Sequence, residues 1–186
     1  PEFMAQYPSI VLDLDFENQA GDLILGEFDV GIRSGSLADS NFVARRLAPM
    51  EFNIYGAPSY LAKNSKPLVP DHLKQHQCIG FRHPTTGKSV PWEFHKDGTA
   101  RTVEVTGPMI VNTQEATCEA GVLGLGLVRL DDYFASPMLA QGKLERVLSD
   151  YAGKSDGYYA YYSSRKFQSP KIQVFIEFLL SRIPNM

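Results

Sequence analysis

Arg33 closes the short apolar run of GEFDVGIRSGSL and is followed at once by Ser34 and Gly35. A guanidinium is a planar fork of donors suited to two-point contact with a carboxylate or phosphate, and glycine lets backbone approach a ligand closely. Two readings stay open: Arg33 braces the turn against an acidic neighbour, or it holds an anion. Asn112, Thr113 and Gln114 form a second group, because Asn112 with Glu115 three residues on is a capping-box-like helix start. The first amides of a helix lack intrahelical partners and carry the positive end of its dipole, so they suit an anionic group unless the caps already satisfy them. Phe81 and Arg82, where a further strand ends, offer a ring face and a second cation; in the plainer reading Phe81 belongs to the core and Arg82 to solvent. Phe16 and Arg129 are additional candidates of the same kind.

Other chemistries find less support. Cys78 and Cys118 are the only cysteines, too few for a disulfide framework, and free cysteine is among the most buried residue types, so both are expected as free thiols in the interior. His72 and His76 are four apart and share a helix face, but no third ligand stands at metal-site spacing. Glu115 and Glu119, also four apart, read as a solvated pair. The chain has no Gly-x-Ser-x-Gly elbow, phosphate loop or zinc helix, so neither catalysis nor a cofactor is called for. Trp92 within VPWEF is expected to be packing.

These residues need positioning elements. Phe3, Met4 and Tyr7 have helical spacing and Pro8 closes the run; the phrase reads as the last turns of an amphipathic helix, with something before it in the native protein. SIVLDLDF alternates Ile10, Leu12 and Leu14 against polar residues, which predicts a strand; a helix from about Asn18 to Gly26 and the strand FDVGIR would complete a βαβ unit. A long strand is expected from about Arg46 to Ala57, ending at Pro58, then a short helix opened by Ser59. A short helix after KPLVP and a strand to Phe81 follow. Thr86-Gly87 and Asp97-Gly98 are turn signals that predict hairpin structure between aromatic and β-branched runs. The helix after Asn112 should run to Ala120 and stop at Gly121, LGLVRL is a buried strand, and another helix begins near Asp131 or Asp132. The aromatic strand GYYAYY precedes a final helix with Ser169 as cap, Pro170 at its first position and one apolar face of Ile172, Phe175, Ile176, Leu179 and Ile183.

The totals fit this α/β pattern. The 186 residues carry a formal net charge of -3, with 44% hydrophobic and 11% aromatic residues, enough for one domain or two small lobes. No basic block of the kind nucleic acid demands is present, so this stretch alone is not expected to hold DNA. No apolar run approaches the roughly 18 residues of a membrane span, and a cytoplasmic protein with no membrane partner is expected.

The order and spacing of YPSIVLDLDFENQAGDLILGEFDVGIRSGSLADSNFVARRLAPMEFNIYGAPSYL, DHLKQHQCIGFRHP, EAGVLGLGLVRLDDYFASPMLAQGKLERVL and SPKIQVFIEFL resemble the effector-binding domain of LysR-type transcriptional regulators over nearly the whole chain. The resemblance implies a two-lobed type II periplasmic-binding-protein-like fold with two crossover strands, its first strand and the start of its first helix lacking here. It implies residues 1–52 with 159–186 as one regulatory subdomain and 53–158 as the other. Between them it implies a cleft for a small effector, a carboxylate if the arginines converge, with Arg33 at the carboxyl end of a parallel strand. The close cysteine spacing of the family's peroxide sensors is not reproduced by Cys78 and Cys118. Further implied are homodimers or tetramers, promoter DNA bound through a winged helix-turn-helix domain absent from this chain, and contact with RNA polymerase. A solute-binding protein of a transport system shares the architecture and is the competing reading.

Overall fold

The computed structural model describes residues 1–16, 28–34, 42–83, 86–151, 153–163 and 169–183. The chain divides into two compact units, Pro1–Met50 with Asp156–Met186, and Glu51–Ser155. Two strands run from one unit into the other: β2 (Phe42–Gly56) outward and β10 (Gly153–Ser163) back.

In the first unit, α1 (Glu2–Gln6) and α5 (Pro170–Arg182) accompany β1 (Gly31–Ser34), β10 and the first part of β2. Pro170 takes the first helical position, where a missing N–H costs nothing. The Ser169 carbonyl, not its side chain, accepts from the amides of Ile172 and Gln173. Ile172 and Ile176 are buried with Leu179 and Ile183 against Leu47, Ala160 and Tyr162, the apolar face anticipated from spacing. The rings of Phe175 and Phe178 each lie 5.2 Å from that of Phe3, which is how so short a helix as α1 is held.

The first unit also departs from expectation. Residues 10–16 form no strand: Val11 is 89% and Phe16 90% exposed. Alternating side chains supply only the pattern of a strand, and these backbone groups join no ladder among the described residues. The anticipated helix from Asn18 to Gly26 lies outside the described residues. β1 pairs with β10, antiparallel, with Arg33 opposite Tyr159, so the described partner of the Arg33 strand is not the parallel one expected.

In the second unit, β3 (Gly80–Arg82) lies parallel to β7 (Ile110–Val111) and antiparallel to β4 (Ser89–Val90). Just upstream, Cys78 bridges Leu127 in parallel. β2 pairs antiparallel with both β8 (Val128–Asp131) and β9 (Glu145–Val147). β5 (Trp92–Lys96) and β6 (Thr99–Val103) form the anticipated hairpin. Its two-residue turn has φ 49° at Asp97 and 75° at Gly98, the left-handed pair that matches the twist of the flanking strands. Trp92, Phe94 and Val103 point into one core with Ile54, Leu73 and Leu127, so Trp92 is packing as expected.

Helix boundaries obey local chemistry more closely than the sequence reading did. In α2 (Pro58–Leu61), Ala57 is the cap and Pro58 the first residue, so proline opens the helix and does not merely end the strand. In α3 (Gln114–Val122) the cap is Thr113, not Asn112; its Oγ1 accepts from the Ala116 amide at 3.2 Å. Nor does Gly121 stop the helix. The chain turns at Gly124, φ 71°, with the Gly124 amide donating to Gly121 and the Leu125 amide to Ala120, a Schellman end. α4 (Asp132–Ala140) starts where expected, Asp131 Oδ1 accepting from the Tyr133 amide at 3.0 Å.

Gly121 serves packing: a Cβ there would stand 2.7 Å from Cγ2 of Val128. In Gly121→Ala the helix-propensity gain of about 1 kcal/mol is outweighed by overpacking of about 1–3 kcal/mol. Urea titration should show a net loss of about 1 kcal/mol, largely recovered in the Gly121→Ala/Val128→Ala double variant relative to Val128→Ala alone.

Candidate functional site

A parallel array within the second unit gathers half of the candidates. Ile79 donates its amide to Leu127 at 2.9 Å, Leu127 to Gln77 at 2.8 Å, Cys78 to Thr106 at 2.9 Å and Gly80 to Met109 at 3.0 Å. The segments ending at Arg82, Val111 and Asp131 therefore run the same way and release the chain at one edge, where ligands bind in α/β sheets. Phe81, half-buried, is opposite Val111 on one side and Val90 on the other. Arg82 and Asn112 are exposed at that edge. Gln114 Oε1 accepts from the Asp131 amide at 3.3 Å, tying the start of α3 to the end of β8. Thr113 is committed as a cap, and its carbonyl accepts from the Thr117 hydroxyl at 2.8 Å.

The other candidates fall elsewhere. Arg33 and Ser34 are exposed on β1 of the first unit, and Arg33 forms no salt bridge among the described residues. Gly35 lies outside the described residues. Phe16, expected at a strand end, is an exposed residue of irregular backbone. Arg129 sits mid-β8 with its guanidinium over the Phe52 ring, 4.1 Å from the centroid. Burial pushes the Arg129 pKa below its ordinary value while the charge of Glu93 pulls the other way.

One polar cluster escaped the sequence reading. The carboxylate of Asp132 accepts at Oδ1 from Asn53 Nδ2 at 2.7 Å and from the Tyr55 hydroxyl, and at Oδ2 from Arg146 Nη2 at 2.7 Å. Arg146 also donates to the Tyr55 oxygen at 3.1 Å. Burial, then the Asp132 interaction, hold the Tyr55 phenol well above its usual pKa, with Arg146 opposing. The cluster fastens the start of α4 to β2 and β9. Its bonded pairs lie up to 91 residues apart, so no local motif announces it; the only sequence signal was the helix start at Asp131-Asp132.

The histidines and cysteines have structural partners. His72 Nδ1 accepts from the Leu68 amide at 3.3 Å, and His76 Nδ1 meets the Tyr60 hydroxyl at 3.1 Å. Burial, and then His72, push His76 below its ordinary pKa. Cys78 and Cys118 are free thiols; burial raises both, Cys78 to about 12. Cys118 is only half-buried.

Residues 1–184 match the family model of the LysR substrate binding domain. The chain belongs to that family. An HTH-type transcriptional regulator of Xanthomonas campestris pv. campestris is 34% identical over 184 residues, 98% of this chain and 54% of that protein. The HTH-type transcriptional regulator CrgA of Neisseria meningitidis serogroup B is 30% identical over 185 residues, 99% of this chain and 61% of that one. The chain thus spans little more than half the length of these curated relatives. Among solved structures, the CrgA regulatory domain superposes with a TM-score of 0.85 at 29% identity, covering 98% of this chain and 89% of that one. Full-length AphB, a Vibrio cholerae virulence activator, gives 0.83 at 27% identity, covering 98% and 62%. The fold is therefore the two-lobed, periplasmic-binding-protein-like α/β fold of LysR regulatory domains. These relatives are transcriptional regulators, which fits the regulator reading and not the solute-binding alternative.

Two expectations follow from the Asp132 cluster. Asp132→Ala strands the buried amide of Asn53, so stability should fall by about 2 kcal/mol in denaturant titration, with Asp132→Asn, which keeps an acceptor, losing less. The raised Tyr55 pKa favours the neutral phenol in the folded state, so its contribution is intact below pH 10.0 and lost as pH climbs beyond it. Stability measured from pH 9 upward should decline less steeply in Tyr55→Phe than in the parent.

Proposed function

We propose that this chain is the effector-sensing domain of a bacterial LysR-type transcriptional regulator. The observation that carries the reading is the family match from residue 1 to 184, on a fold whose second unit sets Phe81, Arg82 and Asn112 to Gln114 along one sheet edge. Residues 1–52 with 159–186 form one regulatory subdomain and 53–158 the other. The ligand is a small organic anion, and Arg33 and Ser34 are further contacts. It regulates by binding one arrangement of the domain better than another, because a ligand with equal affinity for both shifts nothing. The biased arrangement is passed through homodimer or tetramer contacts to winged helix-turn-helix domains outside this chain, altering promoter engagement and contact with RNA polymerase in the cytoplasm. Among the described residues no helix is long and apolar enough to cross a membrane, and the chain works on a small molecule without catalysis.

A thermal-shift screen of small carboxylates, aromatic acids, amino acids and neutral metabolites tests this. A ligand at about 100 times its Kd adds about 2.7 kcal/mol to the folded state, which raises the midpoint by roughly 5–10 °C in a domain of this size. A carboxylate should produce that shift in the parent and a smaller one in Arg33→Ala. Equal shifts in both remove Arg33 from the site. If no compound shifts either this chain or the full-length regulator, the sensor reading is overturned.

A further inference from the structure

We propose that Arg129 is the anchoring cation of the ligand site, binding the carboxylate of a small organic anion; this rests on the sensor reading and names the residue that anchors its ligand. Three arginines are candidates, and their surroundings separate them. Arg33 and Arg82 are exposed, so each is already hydrated, and an exposed ion pair adds little. Arg129 is mostly buried on β8, beside Ile54 in the β2–β8 ladder and stacked on Phe52 at 4.1 Å. Stacking covers the face of the guanidinium but leaves its N–H edge, the part that pairs with oxyanions, without an acceptor.

No hydrogen bond or salt bridge reaches the Arg129 guanidinium among the described residues. The carboxylates nearby are occupied or distant from bonding: Asp131, two residues along the same strand, caps α4 through Oδ1, and Glu93 on β5 acts on Arg129 only through space. The neighbouring Arg146 makes the contrast plain, since it is met by Asp132 and Tyr55. Nature's usual rule is that buried charge is paired. A guanidinium largely covered by its surroundings, stacked on a ring and met by no acceptor among the described residues is suited to an anion that arrives from solution. Carboxylate and phosphate can each meet that edge at two oxygens, but a carboxylate carries a single charge and costs less to take out of water.

The test uses formate and inorganic phosphate as probes, read on the side-chain Nε–Hε signals of Arg129, Arg33 and Arg82 by NMR, with Arg129→Met as the variant. Methionine keeps the apolar stem and removes the unpaired charge, so the ligand-free midpoint of Arg129→Met should equal or exceed the parent's. Formate should shift the Arg129 signal saturably and more than those of Arg33 and Arg82. Any carboxylate found by the thermal screen should lose at least about tenfold in affinity in Arg129→Met but only a few-fold in Arg33→Ala. The proposal is overturned if formate leaves the Arg129 signal unmoved, if phosphate alone moves it, or if the ligand-free variant is destabilised, which would mean that the guanidinium serves the fold. A screen ligand that binds Arg129→Met as tightly as the parent sinks the anchor and leaves the sensor reading standing. A formate response at Arg129 with no screen ligand in the full-length regulator does the reverse.

Discussion

The arrangement of the second unit depends on how closely three pieces of backbone can approach. The segment leading into β3 is clasped between Leu127 on one side and residues 106–109 on the other, and glycine stands at both seams. A Cβ at Gly107 would lie 2.0 Å from the carbonyl oxygen of Cys78, and one at Gly126 would lie 2.5 Å from that of Gln77. No side chain fits at either place, so the parallel pairing exists because these positions carry hydrogen alone. The shared edge of Phe81, Arg82 and Asn112 follows from that pairing, since it sets the ends of three segments together.

Around this frame the polar groups fall into two kinds. Asp132, Asn53, Tyr55 and Arg146 satisfy one another and fasten α4 to the strands. In such a network each donor has its acceptor, and its value lies in fixing one geometry. The arginines at Arg33, Arg82 and Arg129 stand outside it. Two meet water, which stabilises a cation well; the third meets a phenylalanine ring and has no acceptor among the described residues. Burial, not the mere presence of arginine, therefore separates a candidate anchor from a solvated surface charge.

Much of the element order could be read along the chain. The Asp97-Gly98 turn, Pro170 at the start of α5 and the apolar face of that helix were legible because each is a pattern written within a few residues or a few helical turns. The failures share a cause. Ile10 to Phe16 has the alternation of a strand but no described ladder, and a ladder is a property of two segments. Gly121 looks like a helix stop until Val128 is seen against it, and Asn112 looks like a cap until Thr113 is found to make the bond.

The site divides in the same way. The residue types capable of holding an anion, and the family to which the chain belongs, were determined by the sequence, because side-chain chemistry and the spacing of elements are written there. Tertiary structure alone decided which arginine is desolvated, that Asp132 is already spoken for, and that Phe81, Arg82 and Asn112 share an edge. Burial and pairing are relations between residues distant in the chain, and a free energy of desolvation belongs to the surroundings of a group, which one sequence read along its length does not display.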